Sequence, residues 1–264
     1  MRLDNLFKAL GSTIGPAIAA TAASIANGLK DGGYREGRVD FNLGKAVPLD
    51  RLDIGEDTPA EELPGEVIVI GPDHVAICQG ESFTISVDEA SDDTTALHDG
   101  LRFAFIDGTL SISRAPGCSA QPATLRITTP IMPRALALAG SGDLSATALS
   151  GNAALTLTGS GRLQIDSIEA ERLEVTLAGS GRLSGTGMAE QVHLSVLGSG
   201  HAELAGLKAG KADVTMAGSG RVALSCDGDV DVTILGSGKV ILHGNARCRI
   251  SGLGSGRVVC ERPH

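Results

Sequence analysis

Residues 155–165 read Leu-Thr-Leu-Thr-Gly-Ser-Gly-Arg-Leu-Gln-Ile, and this stretch decides the fold. On either side of the glycines, apolar and polar residues alternate with period 2, the pattern of a half-buried strand. The Gly-Ser-Gly triplet breaks the alternation where the chain needs backbone freedom or no Cβ, so it reads as a corner between strands. The triplet recurs seven times, starting at Gly140, Gly159, Gly179, Gly198, Gly218, Gly236 and Gly254, at intervals of 19, 20, 19, 20, 18 and 18 residues. A period near 20 sustained over this length is the mark of stacked repeats, each burying its apolar face against its neighbours.

The flanking positions repeat with the triplet. Two and four residues before it stand pairs such as Leu136 and Leu138, Val175 and Leu177, and Val232 and Ile234. Four and six after it stand Leu144 and Ala146, Leu163 and Ile165, and Val240 and Leu242. No stretch of the repeat region has helical periodicity. The chain is therefore expected to be all-β, a parallel solenoid of about 19 residues per repeat. Its turn glycines are Gly140, Gly142, Gly159, Gly161, Gly179, Gly181, Gly198, Gly200, Gly218, Gly220, Gly236, Gly238, Gly254 and Gly256.

Other β architectures with a similar period fit less well. Outer-membrane barrels need aromatic girdles, whereas this chain is 2% aromatic with no Trp and one Tyr. A left-handed hexapeptide helix repeats its apolar residue every six positions; here apolar residues come two apart. The Ca²⁺-binding nonapeptide pattern is absent. Thirty-six glycines among 264 residues suit thin rungs rather than a thick core.

Three segments precede the repeats. Residues 1–30 begin with Arg2 and Lys8 and continue from Ala9 to Leu29 as an uncharged, Ala-rich run. That run reads either as a secretory signal or as a soluble or interfacial Ala-rich helix; its Ser, Thr and Asn suit a membrane span poorly. Residues 31–64 read as a linker. Residues 65–133 read as irregular N-terminal rungs and a cap, with the Gly-Ser-Gly rungs over 134–262. Asp107-Gly108, between Phe103-Ala104-Phe105 and Leu110-Ser111-Ile112, signals a hairpin.

The run Gly71-Pro72-Asp73-His74-Val75-Ala76-Ile77-Cys78-Gln79-Gly80, then Asp107-Gly108-Thr109-Leu110-Ser111-Ile112, then the spaced triplets, resembles a bacterial family, the putative auto-transporter adhesin, head GIN domain. The resemblance covers roughly residues 63–262. It implies a right-handed parallel β-helix in envelope or secreted proteins, and it carries no catalytic residues to transfer.

Two outward columns are candidates for function. Three residues after the first glycine stand Arg162, Arg182, His201, Arg221, Lys239 and Arg257, with Asp143 opening the row. This basic stripe reads as an ordinary solvated edge or, as the alternative, as a contact for a linear anion such as an acidic glycan, and stacked Ser and Thr hydroxyls would suit neutral glycans too. Five before the triplet stand Glu174, His193, Asp213, Asp231 and Arg249, the one carboxylate column that a carbohydrate-active enzyme could use. No nucleophile elbow, phosphate loop or zinc spacing occurs. The formal charge of −9 and pI near 5.1 argue against general nucleic-acid binding.

The five cysteines, Cys78, Cys118, Cys226, Cys248 and Cys260, lack metal or redox spacing and read as small buried hydrophobes, with a disulfide open but not placeable. The expectation is a non-enzymatic envelope or surface module, periplasmic or at the cell surface, with a cytoplasmic location as the alternative. Its expected partner is a glycan or surface protein. Neither cofactor nor metal is expected, and membrane association and oligomeric state stay open.

Overall fold

The computed structural model describes residues 46–87, 100–115 and 121–261. The expectations for residues 1–30, for residues 31–45 of the linker and for Cys118 lie outside them. The described residues fold as a parallel β-solenoid of about seven turns of ~19 residues.

Sixteen strands join one hydrogen-bonded sheet. Before the first triplet lie β1 (Glu66–Gly71), β2 (His74–Gln79), β3 (Thr84–Val87), β4 (Leu101–Ile106), β5 (Thr109–Arg114), β6 (Thr124–Thr129) and β7 (Ala135–Gly140). Four long strands follow, bending as they circle the stack: β8 (Asp143–Gly159), β9 (Arg162–Gly179), β10 (Arg182–Gly198) and β11 (His201–Gly218). The last turns are split into β12 (Arg221–Cys226), β13 (Asp229–Gly236), β14 (Lys239–His243), β15 (Arg247–Leu253) and β16 (Arg257–Glu261).

Pairing is in register from one triplet to the next: Gly140 faces Gly159, Gly159 faces Gly179, Gly179 faces Gly198, and Gly198 faces Gly218. Register is strict because a one-residue slip would turn every apolar side chain outward. The inward columns are buried through the full turns, as at Leu138, Leu157, Leu177, Val196 and Met216 before the triplets and Leu144, Leu163, Leu183 and Leu204 after them.

The full turns contain a third paired stretch that the two-strand reading of the repeat did not include. Leu149 faces Ile168, Ile168 faces Gly187 and Gly187 faces Leu207. Leu149, Ile168 and Leu207 are buried and close the third side of the core. All three stand nine residues after a first glycine, a recurrence that the sequence does contain. In the 18-residue repeats this side shrinks to Ser225 and Cys226, which pair with Lys208 and Ala209. The missing one or two residues come out of the third stretch.

The N-terminal turns are stacked out of chain order. β1 pairs with β7 on one side and β5 on the other, and β2 lies between β8 and β6. The β5–β6 turn is therefore outermost although it follows β1–β2 in sequence. Beyond it, β4 pairs antiparallel with β5 and β3 antiparallel with β6. These antiparallel strands cover an edge that would otherwise template further pairing. Asp107 and Gly108 form the β4–β5 turn with φ of 50° and 75°, as a tight hairpin requires.

Residues 46–64 are not a free linker, which corrects part of the 31–64 assignment. Val47 exchanges two 2.8 Å backbone hydrogen bonds with Phe103, Leu63 is buried, and Leu49, Leu52 and Ile54 pack against the core. Their apolar side chains are spaced among the acidic and Pro residues that made the segment look like a loop.

The C-terminal turn is built differently. Ile250, in an inward column, is exposed, and among the described residues β15 pairs with β13 alone. Here Cys248 and Cys260 form a disulfide, which corrects their reading as plain buried hydrophobes. Cys248 faces Val230 and Cys260 faces Leu242, so both occupy inward columns, and the bond joins the two sides of the last described turn. A disulfide closing a loop of 12 residues' separation is worth about 3 kcal/mol through the unfolded chain. Cys248→Ser with Cys260→Ser is expected to raise amide exchange in β14–β16 while leaving β8–β11 protected. Uniform protection in both proteins would show that the bond is not needed there.

Candidate functional site

Each corner is tied to the preceding one by backbone hydrogen bonds. Ser180 and Gly181 N–H groups donate to the Gly159 carbonyl at 2.9 and 3.0 Å, and the Arg182 N–H donates to the Gly161 carbonyl at 3.0 Å. The two glycines of a triplet serve different needs. Gly218 has φ of 137°, and a Cβ there would lie 2.1 Å from the Gly198 carbonyl oxygen. Gly161 has no such φ, but its Cβ would meet the Gly142 oxygen at 2.4 Å and a Leu138 methyl at 2.9 Å. The serine between them points out, and Ser141, Ser160, Ser180, Ser199, Ser219, Ser237 and Ser255 are all exposed.

An eighth corner is hidden in the N-terminal rungs. Gly71 faces Gly140, so Gly71-Pro72-Asp73 occupies the place of a triplet. Asp73 is fully buried. It accepts from Arg114 Nε at 3.0 and 3.1 Å, from Arg114 Nη2, and from the Ala123 N–H at 2.8 Å. Arg114 Nη2 also donates to the Gln121 carbonyl at 2.8 Å. This network joins the outermost turn to the next. Sequence reading did not single it out, because the interval of 69 residues from Gly71 to Gly140 conceals the repeat.

The basic stripe is one continuous column. Arg162 faces Arg182, Arg182 faces His201, His201 faces Arg221, Arg221 faces Lys239 and Lys239 faces Arg257. The four arginines are exposed, and His201 and Lys239 are half-exposed. Neighbouring cations at strand spacing, about 4.8 Å, repel by roughly 1 kcal/mol in water, less in salt. Little offsets this locally. Asp143 heads the column but pairs with His74 Nδ1 at 3.0 Å, and Glu203 lies 3.4 Å from Arg182 Nε. A shallow groove of about 410 Å³ runs beside the first half of the column, lined by Ser141, Ser160 and Ser180 with Arg162, Arg182 and His201, and with Asp143 at its end.

The carboxylate column is also in register, with Glu174 facing His193, His193 facing Asp213, Asp213 facing Asp231 and Asp231 facing Arg249. Its acids are engaged along the column. Asp213 lies 3.2 Å from His193 Nε2, and Asp231 lies 3.6 Å from Arg249 Nη1. Such contacts belong to a charge-balanced sheet face. Among the described residues no group of three His, Cys, Asp or Glu side chains is placed to hold a metal ion. Burial pushes the Cys226 thiol up, so it stays protonated as a core residue.

The hydroxyl column three before the triplets is not one solvated face. Thr156 and Thr176 are buried, Ser195 and Thr215 half-buried, and only Thr233 and Ser251 are exposed. The corner bearing the serines and the basic stripe, by contrast, stays accessible along the stack.

The pattern of the putative auto-transporter adhesin, head GIN domain, matches residues 64–246. Solved structures share the fold. A putative adhesin of Bacteroides fragilis is 19% identical with a TM-score of 0.65, covering 74% of this chain and 91% of its own. A putative lipid binding protein of Parabacteroides distasonis is 20% identical with a TM-score of 0.58, covering 76% and 93%. A putative adhesin of Parabacteroides merdae is 17% identical with a TM-score of 0.58, covering 83% and 95%. No curated protein matches the chain.

Proposed function

The chain belongs to the putative auto-transporter adhesin, head GIN domain family, and from that premise we propose that it is a non-enzymatic interaction module of the cell envelope or surface. The observation that carries this reading is the arrangement of the stack. It presents long in-register columns rather than a cleft in which an acid, a base and a nucleophile converge. The engaged state of Asp213 and Asp231 favours it over the carbohydrate-active alternative. The Cys248–Cys260 bond supports a compartment outside the reducing cytoplasm.

Protease treatment of intact and osmotically opened cells of the native host tests the location. Cleavage in either is expected before lysis of the inner membrane; full protection until lysis would overturn the envelope assignment. Incubation with acidic polysaccharides is expected to release no reducing ends. Release that disappears in Asp213→Asn with Asp231→Asn would replace this reading with the enzymatic one.

A further inference from the structure

Resting on that reading, we propose that the corner formed by Arg162, Arg182, His201, Arg221, Lys239 and Arg257 is a binding groove for a linear acidic polysaccharide, lying along the solenoid axis with one basic side chain per turn.

Three observations meet at this corner. The six basic residues are consecutive partners in the strand register, so their spacing is set by backbone hydrogen bonds and not by side-chain choice. A polymer with regularly spaced carboxylates or sulfates meets a column whose backbone spacing is already fixed, so that only the side chains are ordered on binding. Second, the surroundings do not neutralise it. In the outward column two residues further on stand Ser145, Gln164, Ser184, Ala223, Ile241 and Val259, with Glu203 as its one carboxylate. On the other side of the corner stand the serines, and beyond them the uncharged Thr158, Ala178, Leu197, Ala217, Leu235 and Leu253. A chain with a formal charge of −9 thus keeps one long edge almost free of acids. Third, the corner glycines have no side chains, which leaves a groove beside the charges with serine hydroxyls on its rim. Guanidinium groups bind carboxylate and sulfate, and hydroxyls bind sugar hydroxyls.

The same chemistry sets the polysaccharide apart from other polyanions. Single-stranded nucleic acid is held by stacking on aromatic side chains as well as by charge, and the corner columns contain no Phe, Tyr or Trp. Surface attachment to anionic lipid combines cations with large apolar side chains that enter the membrane. Beside the groove the neighbours in this column are the short Thr158 and Ala178, whereas the exposed Leu235 and Leu253 stand further along it beside Lys239 and Arg257, so the vesicle comparison decides between the two polyanions.

The test uses the whole chain on immobilised polygalacturonate and heparin, with neutral dextran, phosphatidylglycerol vesicles and an oligothymidylate as comparisons. Retention on at least one acidic polysaccharide is expected at low salt, with affinity falling about a hundredfold or more between 50 and 200 mM salt through counterion release. Changing Arg162, Arg182, Arg221, Lys239 and Arg257 together to Ser is expected to abolish retention with the unfolding midpoint unchanged. Should that variant unfold, Arg162→Ser with Arg182→Ser, at the groove itself, is expected to weaken retention and flatten its salt dependence. No retention of the parent at low salt, equal retention of parent and variants, or binding confined to the vesicles or the oligonucleotide would overturn the proposal. A protein that binds the polymer yet is protected until cell lysis would overturn the surface reading alone. A surface protein indifferent to both polymers would overturn the groove alone.

Discussion

Gly218→Val is expected to lower stability by about 3–5 kcal/mol and the unfolding midpoint by roughly 10 °C. Two separate costs add. At φ of 137° a β-branched residue is strained, by about 1–3 kcal/mol. Its Cβ would also sit 2.1 Å from the Gly198 carbonyl oxygen, which is backbone and gives way only if the turns separate. Separation stretches the Ser219 N–H bond to that carbonyl, now 2.9 Å. Two further variants resolve the costs. Gly151→Ala, at φ of 76° with nothing within 4 Å, carries strain alone and is expected to cost about 1–2 kcal/mol. Gly161→Ala carries the clash alone, against Gly142 and Leu138. Thermal unfolding followed by circular dichroism measures all three. A Gly218→Val midpoint equal to the parent's would mean that the corner has slack which the close approach denies.

Asp73→Ala is expected to cost about 3–5 kcal/mol, because it leaves the Arg114 guanidinium in a largely dry site without its carboxylate. The Ala123 N–H loses its acceptor in the same change. The loss should be local, since solenoid turns are stabilised by nearest neighbours. Amide exchange is expected to rise in β3–β6, which hang on this contact, while β9–β11 stay protected. Replacing both partners, Asp73→Ala with Arg114→Met, should recover much of the stability, because no buried charge is then left alone. An Asp73→Ala protein with parental exchange throughout would show that the backbone ladder holds the outer turn unaided.

The repeat half of the molecule was legible in sequence because each of its constraints recurs. The corner glycines, the inward pairs and the basic column all reappear at nearly one interval, and in-register stacking turns each recurrence directly into a spatial row. The third stretch of each turn was harder to see. Its apolar signal is a single residue, Leu149, Ile168 or Leu207, and the row is interrupted where Gly187 takes the inward place and Met188 points outward. The carboxylate column was legible as a row, but its engagement was not, because which acid meets His193 or Arg249 depends on side-chain reach between turns.

Local alternation, the triplet period and the Asp107-Gly108 turn by themselves determined strands, corners, stacking and the face on which the basic residues lie, since all are properties of one turn or its nearest neighbour. Tertiary structure alone decided the two ends. The outermost turn is β5–β6 rather than β1–β2, Asp73 reaches Arg114 across 41 residues, and Cys248 meets Cys260 on the last described turn. At an end the repeat no longer supplies a neighbour, so burial and hydrogen bonding must be completed by contacts that occur once, and a contact that occurs once leaves no period to read.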